Sequence, residues 1–189
     1  MSLAGTQTRS PSQTQSIALN AVLVLSGALA LAVASKLVIP VGPVPITAQT
    51  LGVLAIGGTM GSRRGLAAVA LFLAAGSAGA PLFAFGGGPL YLVTSPTGGY
   101  LLGFLPAAYL MGRLVESGFA RGLGRIAAAG ILATEAIYAL GLLRLSLFGV
   151  EDVLSVGLYP FIPGELAKIA VASLALWGYG SLNHRSLNE

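Results

Sequence analysis

Long apolar segments, separated by short polar or proline-rich breaks, dominate the pattern of this chain. The first covers residues 17–38, has no charge before Lys36 and is long enough to cross a bilayer as a helix. Five more apolar segments follow, at residues 46–60, 65–79, 98–111, 126–148 and 159–180. The second and third are short for a span, so we expect them to include adjoining loop residues, to bend or to thin the bilayer locally. The pattern predicts an all-α membrane protein with six transmembrane helices.

The two ends of the chain are polar. Residues 1–16 are rich in Ser, Thr and Gln and predict a disordered tail, and residues 183–189 predict a second, short tail. The helical domain is therefore predicted to cover residues 17–182. Ala32–Ala34 followed by Ser35 also resembles a signal-peptidase site, but the preceding tail is long and has one basic residue, which favours a retained helix.

Two of the breaks between apolar segments are rich in proline, which ends helices. The first contains Pro40, Pro43 and Pro45. The second covers residues 80–97, with three prolines and the glycine run 86–88, and it is nevertheless apolar. Because an apolar loop has little reason to remain in water, we expect it to fold back into the protein.

Composition indicates lipid as the solvent of this chain. Hydrophobic residues make up 55% of the 189 positions and charged residues only 8%, against about 25% in an ordinary soluble domain. Ten basic and six acidic side chains cannot coat a soluble enzyme of this length. The chain has no cysteine and a single histidine, His184. We therefore expect no disulfide, no metal centre, no cofactor and no catalytic residue.

The distribution of basic residues predicts the orientation. With both termini in the cytoplasm, the cytoplasmic stretches contain seven of the ten basic residues, namely Arg9, Arg63, Arg64, Arg113, Arg121, Arg125 and Arg185. The three outer connections, residues 39–45, 80–97 and 149–158, contain no Lys or Arg. The positive-inside rule therefore favours cytoplasmic termini.

Five ionisable residues remain within or beside the predicted spans. An ion in hydrocarbon costs at least about 2.5–3.5 kcal/mol, so each is a functional candidate. Lys36, at the outer end of the first span, is expected to snorkel to the interface. Arg144 could snorkel or pair with Glu165, and Glu135, near mid-span, is expected to pair with a partner side chain.

Glu165 and Lys168 begin the last helix, directly after the proline-rich residues 160–164. Their spacing of three puts them on one face, near unpaired backbone N–H groups and the positive end of the helix dipole. They could form a self-satisfied ion pair. Alternatively, in an outward-opening pocket, Lys168 could receive a carboxylate while Glu165 holds the ammonium and accepts from a donor N–H. Such a pocket would suit a small anion with an apolar body.

The stretch VPITAQT, residues 44–50, opens the second span from the outer side. Thr47, Gln49 and Thr50 supply short polar groups that could face the same pocket. The alternative role for Thr47 is to cap the helix that follows.

The stretch SPTGGY, residues 95–100, closes the second outer loop. Gly98 and Gly99 permit a close approach of the backbone, and Tyr100 offers a ring and a hydroxyl to a ligand. The alternative is a simple helix start with an interfacial tyrosine.

The first span also carries small residues at a spacing of four. Two offset pairs, Ala28 with Ala32 and Ala30 with Ala34, permit close contact with another helix. That helix could belong to a partner protein or to this bundle itself.

Three stretches together resemble the signature sequences of one family: VPITAQTLGVL (44–54), SPTGGYLLGF (95–104) and PFIPGELAKIAVA (160–172). The family is BioY, the biotin-binding S components of energy-coupling-factor (ECF) vitamin transporters. The order, the spacing and the six-span layout are similar over roughly residues 17–182. The sequence departs from the family pattern at Glu165, where many members have Asp, at Leu101, where some have Arg, and at Arg144, where many have Trp.

The resemblance implies a bundle similar to an ECF S component in a bacterial-type plasma membrane, with biotin in a pocket near the outer surface. The substrate-binding residues it indicates, with those of the first loop and the lid loop, are Thr47, Gln49, Gly87, Gly98, Gly99, Tyr100, Arg144, Glu165 and Lys168. The face with Ala28, Ala30, Ala32 and Ala34 resembles the one that S components dock on the membrane-embedded T component.

An energy source is missing from the chain itself. A phosphate-binding loop needs Gly-Lys followed by Ser or Thr, whereas the two lysines, Lys36 and Lys168, follow Ser35 and Ala167. Transport would therefore be driven by partner ATP-binding A components through a T component, or would be downhill. The alternatives are an S component for another vitamin or small carboxylate, a membrane enzyme using Glu135 or Glu165, and a bundle that only organises other proteins.

Overall fold

The computed structural model describes residues 13–40 and 44–185, which are mostly helical. The helices are α1 (Gln13–Lys36), α2 (Gln49–Met60), α3 (Ser62–Ser77), α4 (Tyr91–Thr94), α5 (Gly98–Glu116), α6 (Leu123–Leu147), α7 (Val153–Gly157) and α8 (Ile162–Arg185). A 3₁₀ turn at Tyr159–Phe161 precedes α8. Strands β1 (Val38–Ile39) and β2 (Ile46–Thr47) pair in antiparallel fashion, with Val38 opposite Thr47. The prediction of a helical protein is confirmed, whereas this small hairpin was not predicted.

Each predicted apolar segment corresponds to one helix of at least 12 residues among the described residues. Three stretches, 15–36, 123–147 and 153–181, are long and apolar enough to cross a membrane. Helices α2 and α3 have only 12 and 16 residues, or about 18 and 24 Å at 1.5 Å per residue. They are therefore shorter than a hydrocarbon core of about 30 Å, as the sequence predicted.

The ends of the bundle differ slightly from the predicted boundaries. Helix α1 begins at Gln13, so the last residues of the predicted N-terminal tail are helical. Helix α8 continues to Arg185, three residues past the predicted end of the domain. The rest of both predicted tails lies outside the described residues.

Glycines let the central helices approach at backbone distance. A Cβ on Gly103 of α5 would lie 2.7 Å from the Cα of Ile137 in α6, and one on Gly57 of α2 would lie 2.6 Å from the backbone oxygen of Ala108 in α5. Lipid tails are as apolar as the helix surfaces, so helices in a membrane associate largely through such close packing contacts. Helix α5 is thereby fixed between α2 and α6, and it positions the residues at its N-terminal end.

The outside of the bundle is apolar, as expected for a protein in lipid. Along α1, Ile17, Val22, Leu29 and Val33 are each more than 60% exposed. A soluble protein of this size would not leave such a continuous apolar surface in water.

One charge lies on this apolar outer surface. Glu135 is the middle residue of the 25-residue helix α6, and its side chain is exposed. Within the described residues it makes no hydrogen bond and no ion pair. The expectation that it pairs with another side chain is therefore wrong for the chain as described.

A hydrogen-bonded clasp joins the turn between α2 and α3 to the end of α5. The turn is possible because Gly61 has a φ of 82°, a conformation that favours glycine. Glu116 then accepts one hydrogen bond from the Ser62 N–H and another from the Ser62 hydroxyl, each 2.7 Å long. These hydrogen bonds lower the pKa of Glu116 below its usual value. Arg113 lies 3.7 Å from the same carboxylate.

Candidate substrate-binding site

A cleft lies at the end of the bundle where the hairpin, α2, α5, α6 and α8 meet. It encloses about 590 Å³, counting the part that is open to solvent. The aromatic side chains that line it are Phe83, Tyr91, Tyr100, Phe104, Tyr138 and Phe161. The polar side chains that line it are Thr47, Gln49, Thr50, Thr97, Glu165 and Lys168.

Glu165 and Lys168 form the only ion pair of the cleft among the described residues. The ammonium of Lys168 lies 2.5 Å from Oε1 of Glu165, and the two side chains are 15% and 8% exposed. Thr50 donates a hydrogen bond of 3.3 Å to the same oxygen. The other oxygen, Oε2, is buried and has no hydrogen-bond partner in the described part of the chain. The pair that the sequence indicated is therefore formed, and it retains one unused acceptor.

A second unused polar group lies at the start of α2. Gln49 is 3% exposed, and its Nε2 has no hydrogen-bond partner within residues 13–40 and 44–185. Thr47 fixes the other end of this amide, because its hydroxyl donates to Oε1 of Gln49 at 3.1 Å. The Thr47 hydroxyl also accepts a hydrogen bond of 3.3 Å from the backbone N–H of Gln49. The alternative prediction that Thr47 caps α2 is wrong, because the capping residue is Ala48 and no side chain makes a cap hydrogen bond there. The cleft thus holds a free donor as well as a free acceptor.

Tyr100 contributes its ring to the cleft, while its hydroxyl is already bonded. The hydroxyl donates to the backbone oxygen of Gly157 at 2.8 Å, which ties α5 to α7. The ring packs edge-to-face on Tyr138, with 5.9 Å between centroids. The two rings form an apolar wall, and the donor of the Tyr100 hydroxyl is already used by Gly157.

Gly98 and Gly99 do not line the cleft. A Cβ on Gly98 would collide with the backbone oxygen of Leu92, and one on Gly99 would collide with that of Leu140. Both glycines therefore serve the packing of the N-terminal end of α5 against its neighbours. Gly98 and Gly99 do permit a close approach, as predicted, but the group that approaches them is protein backbone rather than a ligand.

The loop at residues 79–90, here called the lid loop, closes one side of the cleft. Its Phe83 is fully buried and packs edge-to-face on Phe72, with 5.4 Å between centroids. The prediction that this loop folds back into the protein is therefore confirmed. Gly87 lies beside the backbone oxygens of Ala80 and Gly76 and does not line the cleft.

The end of α1 holds the lid loop in place. Lys36 donates a hydrogen bond of 2.9 Å to the backbone oxygen of Phe83, and Ser35 donates one of 2.5 Å to that of Leu82. Lys36 is an exposed residue whose ammonium binds a carbonyl of the lid loop, so its expected snorkelling stays a prediction.

Arg144 lies outside the cleft lining. Its guanidinium carbon is 4.6 Å from the ring centroid of Phe148, a cation–π contact. Its Nε and Nη2 atoms are buried without a hydrogen-bond partner in the described residues, and Glu165 pairs with Lys168 instead. The structure therefore separates Arg144 from the residues with which the sequence grouped it.

The small residues of α1 do not form one common face. Ala28 is buried, Ala32 and Ala34 are half-buried, and Ala30 is exposed. Ala34 packs near Gly52 of α2, where an added Cβ would lie 3.7 Å from it. Internal packing therefore accounts for part of the pattern, and a partner could reach Ala30 most easily.

Most of the aromatic side chains that line the cleft were not predicted from the sequence. Phe83, Tyr138 and Phe161 line the cleft, yet each stands in an apolar stretch where an aromatic residue is unremarkable. The signal that could have found Tyr138 is its position four residues after Thr134, another buried residue on the same face of α6.

Known proteins are similar to nearly the whole chain. The sequence model of the BioY family matches residues 6–183. A protein of Thermotoga maritima named biotin transporter BioY is 41% identical over 140 residues, covering 72% of this chain and 80% of that protein. One of Rhodobacter capsulatus with the same name is 38% identical over 170 residues, covering 79% and 86%.

A solved structure shares the fold. It is the crystal structure of the S component for biotin from an ECF-type ABC transporter, with a TM-score of 0.77. It covers 91% of this chain and 95% of its own, at 23% sequence identity. The fold of this chain is therefore similar to that of the S component in that structure.

Proposed function

Because the chain belongs to the BioY family, we propose that it is the substrate-binding membrane subunit of a biotin uptake system. In this role it captures biotin in an outward-facing cleft and delivers it inward. The named relatives are transporters, and the shared fold is that of a transporter subunit rather than of an enzyme. Biotin is the transported ligand, and the function requires no other cofactor.

The observation that carries this proposal is an ion pair and two unused polar groups inside an apolar, aromatic cleft. Biotin has a carboxylate, an apolar thiophane ring and valeryl chain, and a ureido ring with both N–H donors and a carbonyl acceptor. Lys168 supplies a cation, Oε2 of Glu165 a free acceptor and Nε2 of Gln49 a free donor. Because buried polar groups normally have partners, these groups are suited to a ligand that completes them.

Lys168 is the cation we assign to the carboxylate of biotin. It lies in the cleft, whereas Arg144 does not line it. Glu165 holds the ammonium in place and offers Oε2 to a ligand N–H. Tyr100 and Tyr138 provide the apolar wall on which a ring can pack.

Binding of labelled biotin to the purified protein in nanodiscs tests this assignment. Lys168→Met should lower the affinity for biotin at least tenfold and leave the weaker affinity for biotin methyl ester nearly unchanged, because the ester has no carboxylate. Arg64→Met, at the opposite end of the bundle, is the matched control and should bind both as the wild type does. Equal losses for biotin and its ester in Lys168→Met would contradict the assignment.

The alternative ligand class is another vitamin or small carboxylate. Riboflavin, thiamine and lipoate should not displace labelled biotin at a hundredfold excess. Displacement by one of them at a lower concentration than unlabelled biotin requires would favour that compound as the substrate.

We further propose six membrane spans with both termini in the cytoplasm of a plasma-membrane protein. The placement of the seven basic residues supports this orientation. Because the chain has no cysteine, single cysteines at Glu151 and Ser117 can be probed with a membrane-impermeant maleimide in intact cells. Position 151 should be labelled from outside, and position 117 only after lysis.

Energy should come from ATP-binding A components acting through a membrane T component. The fold of an ECF S component supports such partners, and Ala30 is the small residue of α1 that a partner could reach most easily. Co-expression should give a complex that hydrolyses ATP and accumulates biotin. Ala30→Trp should weaken the complex while leaving biotin binding by the isolated chain intact.

A further inference from the structure

A second depression adjoins the cleft on the side of α1. This groove lies between the end of α1, the hairpin and α8, and it is an open surface groove rather than an enclosed cavity. Ile46, Thr47 and Lys168 line both the groove and the cleft. The groove and the cleft therefore share a wall, and Lys168 is accessible from each.

The groove carries a net positive charge because of Lys36. The charge of Lys168 is balanced by Glu165 at 2.5 Å. Among the described residues, Lys36 binds only the neutral backbone oxygen of Phe83 and takes part in no ion pair. The remaining walls are apolar, with Leu37 and Ile39 both more than 60% exposed.

The two lysines differ in their access to water. Lys36 is exposed at the last residue of α1, whereas the side chain of Lys168 is only 15% exposed. An anion that approaches through the groove therefore meets Lys36 first and Lys168 second. A cation set among apolar walls focuses its field and raises the rate at which anions arrive.

We propose that this groove is an entry vestibule for ligands with a carboxylate, in which Lys36 captures the carboxylate before it reaches Lys168. The proposal rests on the proposed function, since it assigns the route to the same cleft. The groove takes the anionic end of a small molecule, and its apolar walls accept the hydrocarbon chain that follows. Lys36 is thus a residue that sets the rate of capture, in addition to holding the lid loop.

Stopped-flow measurement of biotin association and dissociation tests the vestibule. In Lys36→Gln, the association rate constant should fall about tenfold at low ionic strength, because electrostatic steering contributes factors of about 10–1,000. The deficit should shrink as salt is raised, and the dissociation rate constant should stay within about twofold of the wild type. Lys36→Arg should associate at the wild-type rate, since it keeps the charge.

Two further measurements separate capture from the tethering of the lid loop. Biotin methyl ester, which is neutral, should associate with Lys36→Gln as fast as with the wild type. Arg64→Gln, at the other end of the bundle, should leave biotin association unchanged. If Lys36→Gln instead speeds dissociation of both ligands with no salt dependence, Lys36 acts only as a tether and the vestibule is refuted.

The outcome also distinguishes the vestibule from the proposed function. Tight biotin binding by the wild type, with an unchanged association rate in Lys36→Gln, would overturn the vestibule alone. No biotin binding by the wild type would overturn both.

Discussion

Removing one member of the Glu165–Lys168 pair should destabilise the protein far more than removing both. The two side chains are 8% and 15% exposed, so each charge depends on the other for compensation. Breaking a buried ion pair by removing one partner costs about 3–5 kcal/mol, whereas replacing the whole pair with apolar side chains is often neutral. The pair is therefore suited to a double-mutant cycle.

The surroundings of the pair refine these magnitudes. In Lys168→Met, the carboxylate keeps its hydrogen bond from Thr50, which offsets about 1 kcal/mol of the cost of leaving this charge unpaired. We therefore expect the free energy of unfolding to fall by about 3 kcal/mol. In Glu165→Met, the ammonium can still reach water through the groove, so we expect a similar loss of about 3 kcal/mol. The double variant should lie within about 1 kcal/mol of the wild type.

Unfolding in mixed micelles, followed by circular dichroism during SDS titration, measures these free energies. Labelled-biotin binding, measured on the same samples, should be lost or strongly weakened in all three variants, including the stable double variant. That result would separate ligand contact from structural support. Single-variant losses below about 1 kcal/mol that add up in the double variant would refute the reasoning, because they would show that the two charges are not coupled.

Three other substitutions probe features outside the ion pair. Glu135→Leu should favour insertion of α6 by about 2.5–3.5 kcal/mol in a membrane-insertion assay, because it removes an unpaired charge from the middle of α6. Glu151→Leu, in an outer connection, should have no such effect. The pKa of Glu116 is lowered by its hydrogen bonds from Ser62. The clasp should therefore contribute fully to the free energy of unfolding above the usual carboxyl pKa, and this contribution should be lost as the pH falls through the lowered pKa. Glu116→Gln should therefore lower the unfolding midpoint at pH 7 and abolish this acid-dependent loss. Tyr100→Phe should cost about 1 kcal/mol of stability with biotin affinity unchanged, because the hydroxyl binds Gly157; a tenfold weaker affinity would show that the hydroxyl contacts the ligand.

The sequence predicted features that depend on composition and local spacing. The order of six long helices follows from the lengths of the apolar segments, and the Glu165–Lys168 pair follows from a spacing of three at a helix start. Thr47 and Gln49 are predicted in the same region because they stand at the outer start of the second apolar segment. These predictions needed no knowledge of how the helices pack.

The errors came from tertiary orientation. Gly98 and Gly99 stand in a motif that indicates a backbone approach, but the sequence does not say whether ligand or protein approaches. In the structure, the neighbouring backbones of Leu92 and Leu140 fill that space. The hairpin of Val38 and Thr47 was missed because two-residue strands leave no periodic pattern.

Lys36 and Arg144 show why counting charges near the membrane surface is not sufficient. Both are basic residues near the outer end of a predicted span, and snorkelling is a predicted role for each. In the structure the two side chains lie in different surroundings. Lys36 reaches the lid loop and the groove beside Lys168, whereas Arg144 stacks on Phe148 away from the cleft. A charge in an apolar chain marks a candidate site, but only packing decides whether it meets the ligand, another part of the protein or the surrounding membrane.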